Sequence, residues 1–176
     1  MTRTVIASES DPYFPAFCEM YESSFPLSER RSPEDQRRLF SNRAYRLEAW
    51  VEGDRLAGFL GWWAGGDWRF VEHFAVHPDC RSAGYGSRFL SGWMRESDLP
   101  VLLEIEPVTD ETTRRRQRFY HRLGFQDNEI VHYQPPYHRE TPSVRLWIMS
   151  FPQPLTPSSY EKFKRVQQTE IMPSFH

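Results

Sequence analysis

Residues 70–89 read F-V-E-H-F-A-V-H-P-D-C-R-S-A-G-Y-G-S-R-F, and the rest of the chain is arranged around them. Phe70, Phe74 and Val76 alternate with Val71, His73 and Ala75, apolar on both faces for the most part, until Pro78, which has no N–H for a ladder. This is the pattern of a central strand, with Glu72 on the face of Phe70 and Phe74 and His73 pointing away from it. After Gly84 the period changes. Tyr85, Phe89, Leu90, Trp93 and Met94 recur at helical spacing, while Ser87, Arg88, Ser91, Arg95 and Glu96 fall elsewhere, so an amphipathic helix runs over 84–97. Between strand and helix lies Arg81-Ser82-Ala83-Gly84-Tyr85-Gly86. Gly84 and Gly86 leave backbone open to a ligand, the helix directs its free N–H groups and positive dipole end into the turn, and Arg81 adds a full charge. Such a turn suits an anion, a pyrophosphate above all, although glycine-rich turns also occur without ligands.

Local signals extend the pattern in both directions. Residues 3–7 fit a short first strand. Phe14, Phe17, Cys18, Tyr21 and Phe25 mark a helix that Pro26 stops, and Ser32 followed by Pro33, Glu34 and Asp35 caps a second one ending by Ser41. Tyr45, Leu47, Ala49 and Val51 alternate with Arg46, Glu48 and Glu52, a strand with one wet face. Gly53-Asp54 turns it back through residues 56–63, and Gly65-Gly66-Asp67 turns the chain again into the central strand. Val101-Leu102-Leu103-Glu104-Ile105 is a doubly covered run that arrives after the helix, which makes strand, helix and strand a right-handed crossover between parallel neighbours. Asp110 or Thr109 caps a further helix that Gly124 ends. Phe125 onward and residues 144–149 read as the last strands. The connection between them contains Gln134-Pro135-Pro136-Tyr137, stiff and aromatic, a wall for a ligand. The expected organisation is one α/β domain over 1–150, with a linker and terminal helix in 151–176 packing on it.

Length and charge set bounds. A chain of 176 residues with 39% hydrophobic and 15% aromatic residues buries a real core in one domain. A net charge of −2 gives no basis for nucleic-acid binding, and the cluster Arg114-Arg115-Arg116 with Arg118 is either a solvated helix face or an aid to phosphates. Cys18 and Cys80 form no disulfide framework, which favours a reducing compartment, and no signal-peptide core or run of 18 apolar residues is present, so a cytoplasmic, non-membrane protein is expected. The six histidines have no metal-ligand spacing and no nucleophile has a partner set, so no metal and no acyl-enzyme are expected.

The strand ending A-V-H-P and its R-x-x-G-x-G turn resemble the acyl-CoA pyrophosphate loop of the GNAT superfamily of N-acyltransferases. Phe119-Tyr120-His121-Arg122-Leu123-Gly124-Phe125 is similar to that superfamily's F-Y-x-x-L-G-F segment and lies at the expected distance downstream. The likeness covers about residues 45–150. It implies a mixed, mostly antiparallel sheet with a splayed parallel strand pair that admits the thioester, flanked by helices on both faces. It further implies acetyl-CoA as acyl donor, held by backbone at Phe74, Ala75 and Val76, by Arg81, Ser82, Ala83, Gly84, Tyr85, Gly86 and Ser87, and by Arg116 on its phosphates. Where the superfamily often carries asparagine this chain has Thr113, whose hydroxyl takes over the pantetheine contact. Residues 27–31 become a lid over the acceptor pocket.

Transfer from a thioester to an amine needs a polarised carbonyl, a base for the ammonium and a proton for the thiolate. Glu72, among aromatic residues, is expected to have a raised pKa and to serve as base, unless it is a sheet carboxylate paired with an arginine. Glu104 and Glu106 share a face of the next strand and are rivals, better suited to holding the ammonium, with Tyr137 as a wall. Tyr120 alone reads as core. The resemblance makes it the general acid. The acceptor is a small-molecule or peptide amine. Two alternatives remain open: a module that binds acyl-CoA without turnover, and an enzyme acting on a protein lysine or N-terminus. Acidic residues with Trp62, Trp63, Trp68, Tyr133 and Tyr137 suit a small hydrophobic or polyamine acceptor, and the tryptophans equally suit a homodimer surface.

Overall fold

The computed structural model describes residues 1–81 and 83–173. Strand β1 (Thr2–Val5) precedes helix α1 (Phe14–Ser24), whose Phe14, Phe17, Met20 and Tyr21 are buried. A 3₁₀ turn over Leu27–Glu29 leads to α2 (Pro33–Arg38), where the Ser32 hydroxyl accepts from the Asp35 N–H as expected of that cap. Strands β2 (Tyr45–Glu52), β3 (Arg55–Ala64) and β4 (Arg69–Val76) form an antiparallel meander through Gly53-Asp54 and the 65–67 turn. A one-turn helix α3 (Pro78–Arg81) opens the basic turn. Helix α4 (Tyr85–Met94) closes it, and β5 (Val101–Ile105) returns parallel to β4. Helix α5 (Glu111–Arg122), the short strands β6 (Gln126–Asp127) and β7 (His132–Gln134), strand β8 (Val144–Phe151) and helix α6 (Pro157–Val166) complete the order, with a π turn over Gln167–Ile171. The sheet runs β1-β2-β3-β4-β5-β8-β6, with β7 also on β8. It is mixed and mostly antiparallel, with β4 and β5 as its parallel pair and helices on both faces. Among the described residues no helix is long and apolar enough to cross a membrane.

Two core layers cover the sheet. One joins α1 and α6 to Phe59, Phe70 and Leu102; the other joins α4 and α5 to Leu60, Val71 and Leu103. Arg69 ties α4 to the sheet: its guanidinium donates to the carbonyls of Trp93 and Met94 at 3.1 and 2.8 Å, at the end of the helix where a cation is favoured, and stacks on the Trp93 ring.

Three sequence expectations change here. β2 is covered on both faces over residues 47–51, because Glu48 is buried between Arg3, at 2.7 Å, and the indole N–H of Trp62, at 2.8 Å, while Arg46 and Glu52 stay exposed as expected. Trp63 and Trp68 are buried and Trp62 is half-buried on Trp93, so the three do not form an exposed tryptophan surface. The third is the alternation in β4. Trp62 pairs with Val71 and Gly61 with His73, leaving Glu72 as an extra residue, a bulge. It flips the faces, so Phe70 packs on Phe163 in one layer and Phe74 on Trp50 and Phe119 in the other, while Glu72 and His73 lie on the same side. A period-2 reading carried through an unseen bulge inverts everything beyond it.

The terminal helix is bound to this domain through Phe163, fully enclosed against Trp68 and Phe70. Phe163→Ala is expected to cost about 3–5 kcal/mol in urea denaturation as a single transition. An unchanged main transition would mean that the helix is an appendage.

Candidate active site

The bulge also turns the backbone of β4. The Arg69 N–H donates to the carbonyl of Pro100, toward β5, whereas the His77 N–H donates to Ala57 in β3. Their positions differ by an even number, so without the bulge both would face the same way. Beyond it, Phe74 and Val76 present N–H and C=O away from β3. Nothing on β5 meets them, because the parallel pairing ends at Val71 opposite Leu103. The strands splay, and a cleft of about 870 Å³ opens between them. Phe74, Ala75, Val76 and Arg81 line it from β4 and the turn, Glu104 from β5 and Glu106 just past its end, Arg116 and Tyr120 from α5, and Glu29 from the turn after α1.

Past the turn, Gly84 has φ +71° and precedes α4, whose first N–H groups receive no side-chain cap. A side chain there would be strained. Gly86 is buried where a Cβ would come within 3.3 Å of Val76, so the glycine sets the approach of helix to strand. Arg81 donates from Nε to the Val76 carbonyl at 3.0 Å and keeps its terminal nitrogens at the cleft. Tyr85 stacks on Phe89, and Ala83 and Gly84 are exposed. Ser82 lies outside the described residues, and Ser87 is half-buried in the first turn of α4. Arg115 and Arg116 line the cleft with Arg81, three guanidinium groups of the kind that bind a polyphosphate, whereas Ala83, Gly84, Tyr85, Gly86 and Ser87 are not among its lining residues.

Tyr120 lines the cleft, buried beside Phe119 and Phe125, and its hydroxyl has no hydrogen-bond partner among the described residues. Burial pushes its pKa up to about 12, against the opposing charge of Arg116, so it stays protonated at neutral pH.

Glu72 is not the raised-pKa carboxylate that its aromatic neighbours suggest. Its side chain is fully enclosed, 2.5 Å from the Arg31 guanidinium, and accepts from Trp63 Nε1 and the Tyr137 hydroxyl, both at 2.8 Å. Burial pushes the carboxyl up, but Arg31, then His73 and these hydrogen bonds outweigh it and hold the pKa below the usual value. The sheet-carboxylate reading is the one this geometry supports. Tyr137 points its hydroxyl at Glu72 under the Arg31 guanidinium and is not among the residues lining the cleft, so it forms no acceptor wall. His73 does line it, donating from Nε2 to the Glu29 carbonyl at 2.8 Å, with its pKa lowered by burial against the pull of Glu72.

Glu104 is enclosed by His132 and Gln134, both at 2.6 Å, and by Gln167. Glu106 pairs with Arg116 at 3.2 Å, a half-exposed bridge that leaves both within reach of a ligand. Thr113 is spent: its hydroxyl accepts from the N–H groups of Thr109 and Asp110 in the capping box of α5, and Thr112 lines the cleft in its place. Sequence reading missed Glu29 and His73 as lining residues. The lid carried the first, but only the bulge brings the second to the cleft. Among the described residues no group of three His, Cys, Asp or Glu is arranged around a metal.

Replacing Glu72 by Gln leaves Arg31 buried without a counter-charge and should cost about 3–5 kcal/mol near neutral pH. Because the folded pKa is depressed, this stabilisation is complete above the ordinary 4.5 and is lost as pH falls through the lowered value. Urea denaturation of wild type and E72Q should therefore converge in acid. A gap that persists there would contradict the pairing.

Comparison with known proteins agrees with this geometry. The acetyltransferase (GNAT) domain family matches residues 45–127. A candidate acetyltransferase of Bacillus subtilis (strain 168), YjbC, is 34% identical over 67 residues, covering 37% of this chain and 34% of that protein's length. The structure of a candidate acetyltransferase of the GNAT family from Bacteroides thetaiotaomicron superposes with a TM-score of 0.88 at 29% identity, covering 99% of this chain and 100% of that one. An aminoglycoside 6'-N-acetyltransferase complexed with coenzyme A superposes with a TM-score of 0.59 at 16% identity, over 85% of this chain and 96% of that one, a likeness of fold. Residues 45–127 thus match the acetyltransferase (GNAT) domain family, and the chain as a whole has the fold of a solved structure assigned to it.

Proposed function

We propose that this protein transfers an acetyl group from acetyl-CoA to a primary amine by direct attack in a ternary complex. The observation that carries the reading is the splay. The backbone edge of Phe74 and Val76 that β5 leaves unpaired, with the Val76 carbonyl held by Arg81, and the unpartnered hydroxyl of Tyr120 face one cleft that Arg81, Arg115 and Arg116 also line. The extended pantetheine arm has amides that can pair with the free edge of β4, as another strand would. The free N–H groups of α4, with Arg81, Arg115 and Arg116, meet the phosphates. The coenzyme A carried by the aminoglycoside acetyltransferase of the same fold supports that choice of donor. The free thiols of Cys18 and Cys80 fit a reducing compartment, and we place the protein in the cytoplasm on that basis.

The chain's own groups then divide the chemistry. Tyr120 supplies a proton to the departing thiolate as the C–S bond breaks, and recovers one from the nitrogen that has bonded to the carbonyl carbon. The charge of Arg116 reduces the cost of the transient tyrosinate. Glu72 contributes by position, holding Arg31 and with it the lid.

The test is thiol release from acetyl-CoA with spermidine, tyramine and a lysine-containing peptide as acceptors. Wild type should turn over at least one of them. Tyr120→Phe should lower kcat by about 10²-fold or more while the thermal shift given by acetyl-CoA stays the same. Stabilisation by acetyl-CoA with no release from any amine would favour a binding module. Release from the peptide alone would favour a protein acceptor.

A further inference from the structure

Resting on the acetyl-transfer reading, we infer that Glu29, on the lid turn between α1 and α2, takes the proton from the acceptor ammonium, which therefore enters the cleft as a cation beneath that turn. Four carboxylates line the cleft: Glu29, Glu72, Glu104 and Glu106. Three are engaged: Glu72 with Arg31, Glu104 with His132, Gln134 and Gln167, and Glu106 with Arg116. Glu29 alone has a carboxylate with no hydrogen bond or ion pair among the described residues.

Its backbone, by contrast, is fixed. The Glu29 carbonyl accepts from His73 Nε2 at 2.8 Å, and its N–H donates to Pro26 at 2.9 Å. His138 Nε2 reaches the carbonyls of Leu27 and Arg30, at 3.1 and 2.9 Å, and Arg31 locks the end of the turn onto Glu72. A chemically free carboxylate on a rigid turn is what a proton acceptor in a pocket requires.

Its surroundings tune it in the same direction. Half-burial pushes the Glu29 carboxyl up. Glu106 adds to this from just past β5, Arg116 opposes it from α5, and Glu104 adds a further small push. From β4, His73 is held neutral at neutral pH by burial. On the turn itself, the Arg30 guanidinium is bonded to the Phe25 carbonyl and that of Arg31 to Glu72, so neither neutralises Glu29.

The step balances as follows. One ammonium proton passes to the Glu29 carboxylate, the freed amine bonds to the thioester carbon, and the C–S bond breaks. The second nitrogen proton reaches sulfur by way of Tyr120, and Glu29 returns its proton to water.

The experiment compares wild type, Glu29→Gln and Glu29→Asp by thiol release, with the best acceptor of the amine panel, from about pH 6.5 to about pH 10. At neutral pH, Glu29→Gln is expected to lose about 10²-fold in kcat/KM and Glu29→Asp much less, with the acetyl-CoA thermal shift unchanged in both. The Glu29→Gln deficit should shrink toward about pH 10, where the amine arrives already deprotonated. A Glu29→Gln rate within about threefold of wild type near pH 7, or a deficit constant across the range, would overturn the assignment and leave acetyl transfer standing. Absence of release by wild type itself would overturn the transfer reading, and this inference with it.

Discussion

One extra residue in β4 governs this molecule. At Glu72 the strand carries a residue that β3 does not match, and three consequences follow from that single insertion. The outward face of β4 inverts, so Phe74 joins the α4 and α5 layer although Phe70 belongs to the opposite one. The hydrogen-bonding edge inverts too, turning Phe74 and Val76 toward β5 just where β5 departs. The Glu72 side chain is driven inside, where only a cation can satisfy it. An unpaired N–H or C=O costs about 1–3 kcal/mol when water is excluded, so the open edge is a standing demand for a ligand with regularly spaced amides.

The buried cation that answers Glu72 is Arg31, and the pair does more than neutralise charge. Arg31 reaches Ile171 near the C-terminal end at 2.8 Å and stacks over Tyr137, while its own N–H donates to the Tyr21 hydroxyl at 2.9 Å. One residue thus joins the turn over 27–31, β4, the loop before β8, α1 and Ile171. The lid that presents Glu29 is held by a buried charge rather than by apolar packing, since Leu27 in it is exposed. Such an arrangement fixes position closely while leaving the cleft side of the turn polar.

The elements were legible in the sequence wherever the signal was local. Ser32 and Asp110 cap their helices, Gly53-Asp54 makes its hairpin, and residues 101–105 form the parallel strand. Arg81, Phe74, Val76 and Tyr120 all reach the cleft because they hang on those elements. The errors at Glu72 and Tyr137 come from partners far away in sequence, and the one at Thr113 from the cap three residues before it. Glu72 has the same neighbours along the chain whether or not Arg31 faces it. Thr113 looks available until Asp110 claims its hydroxyl, and Tyr137 looks like a wall until it turns toward Glu72. Glu29 has the opposite history: nothing in its local sequence marks it, and only the loss of the other carboxylates to partners singles it out.

The central claim is that the edge of β4 freed by the bulge receives the acyl donor. Backbone amide hydrogen exchange with and without acetyl-CoA tests it residue by residue. The account predicts new protection at the N–H groups of Phe74 and Val76 and in the first turn of α4, with residues 69–71, already paired to β5, unchanged. Binding of acetyl-CoA that leaves Phe74 and Val76 exchanging at their free rate would contradict it.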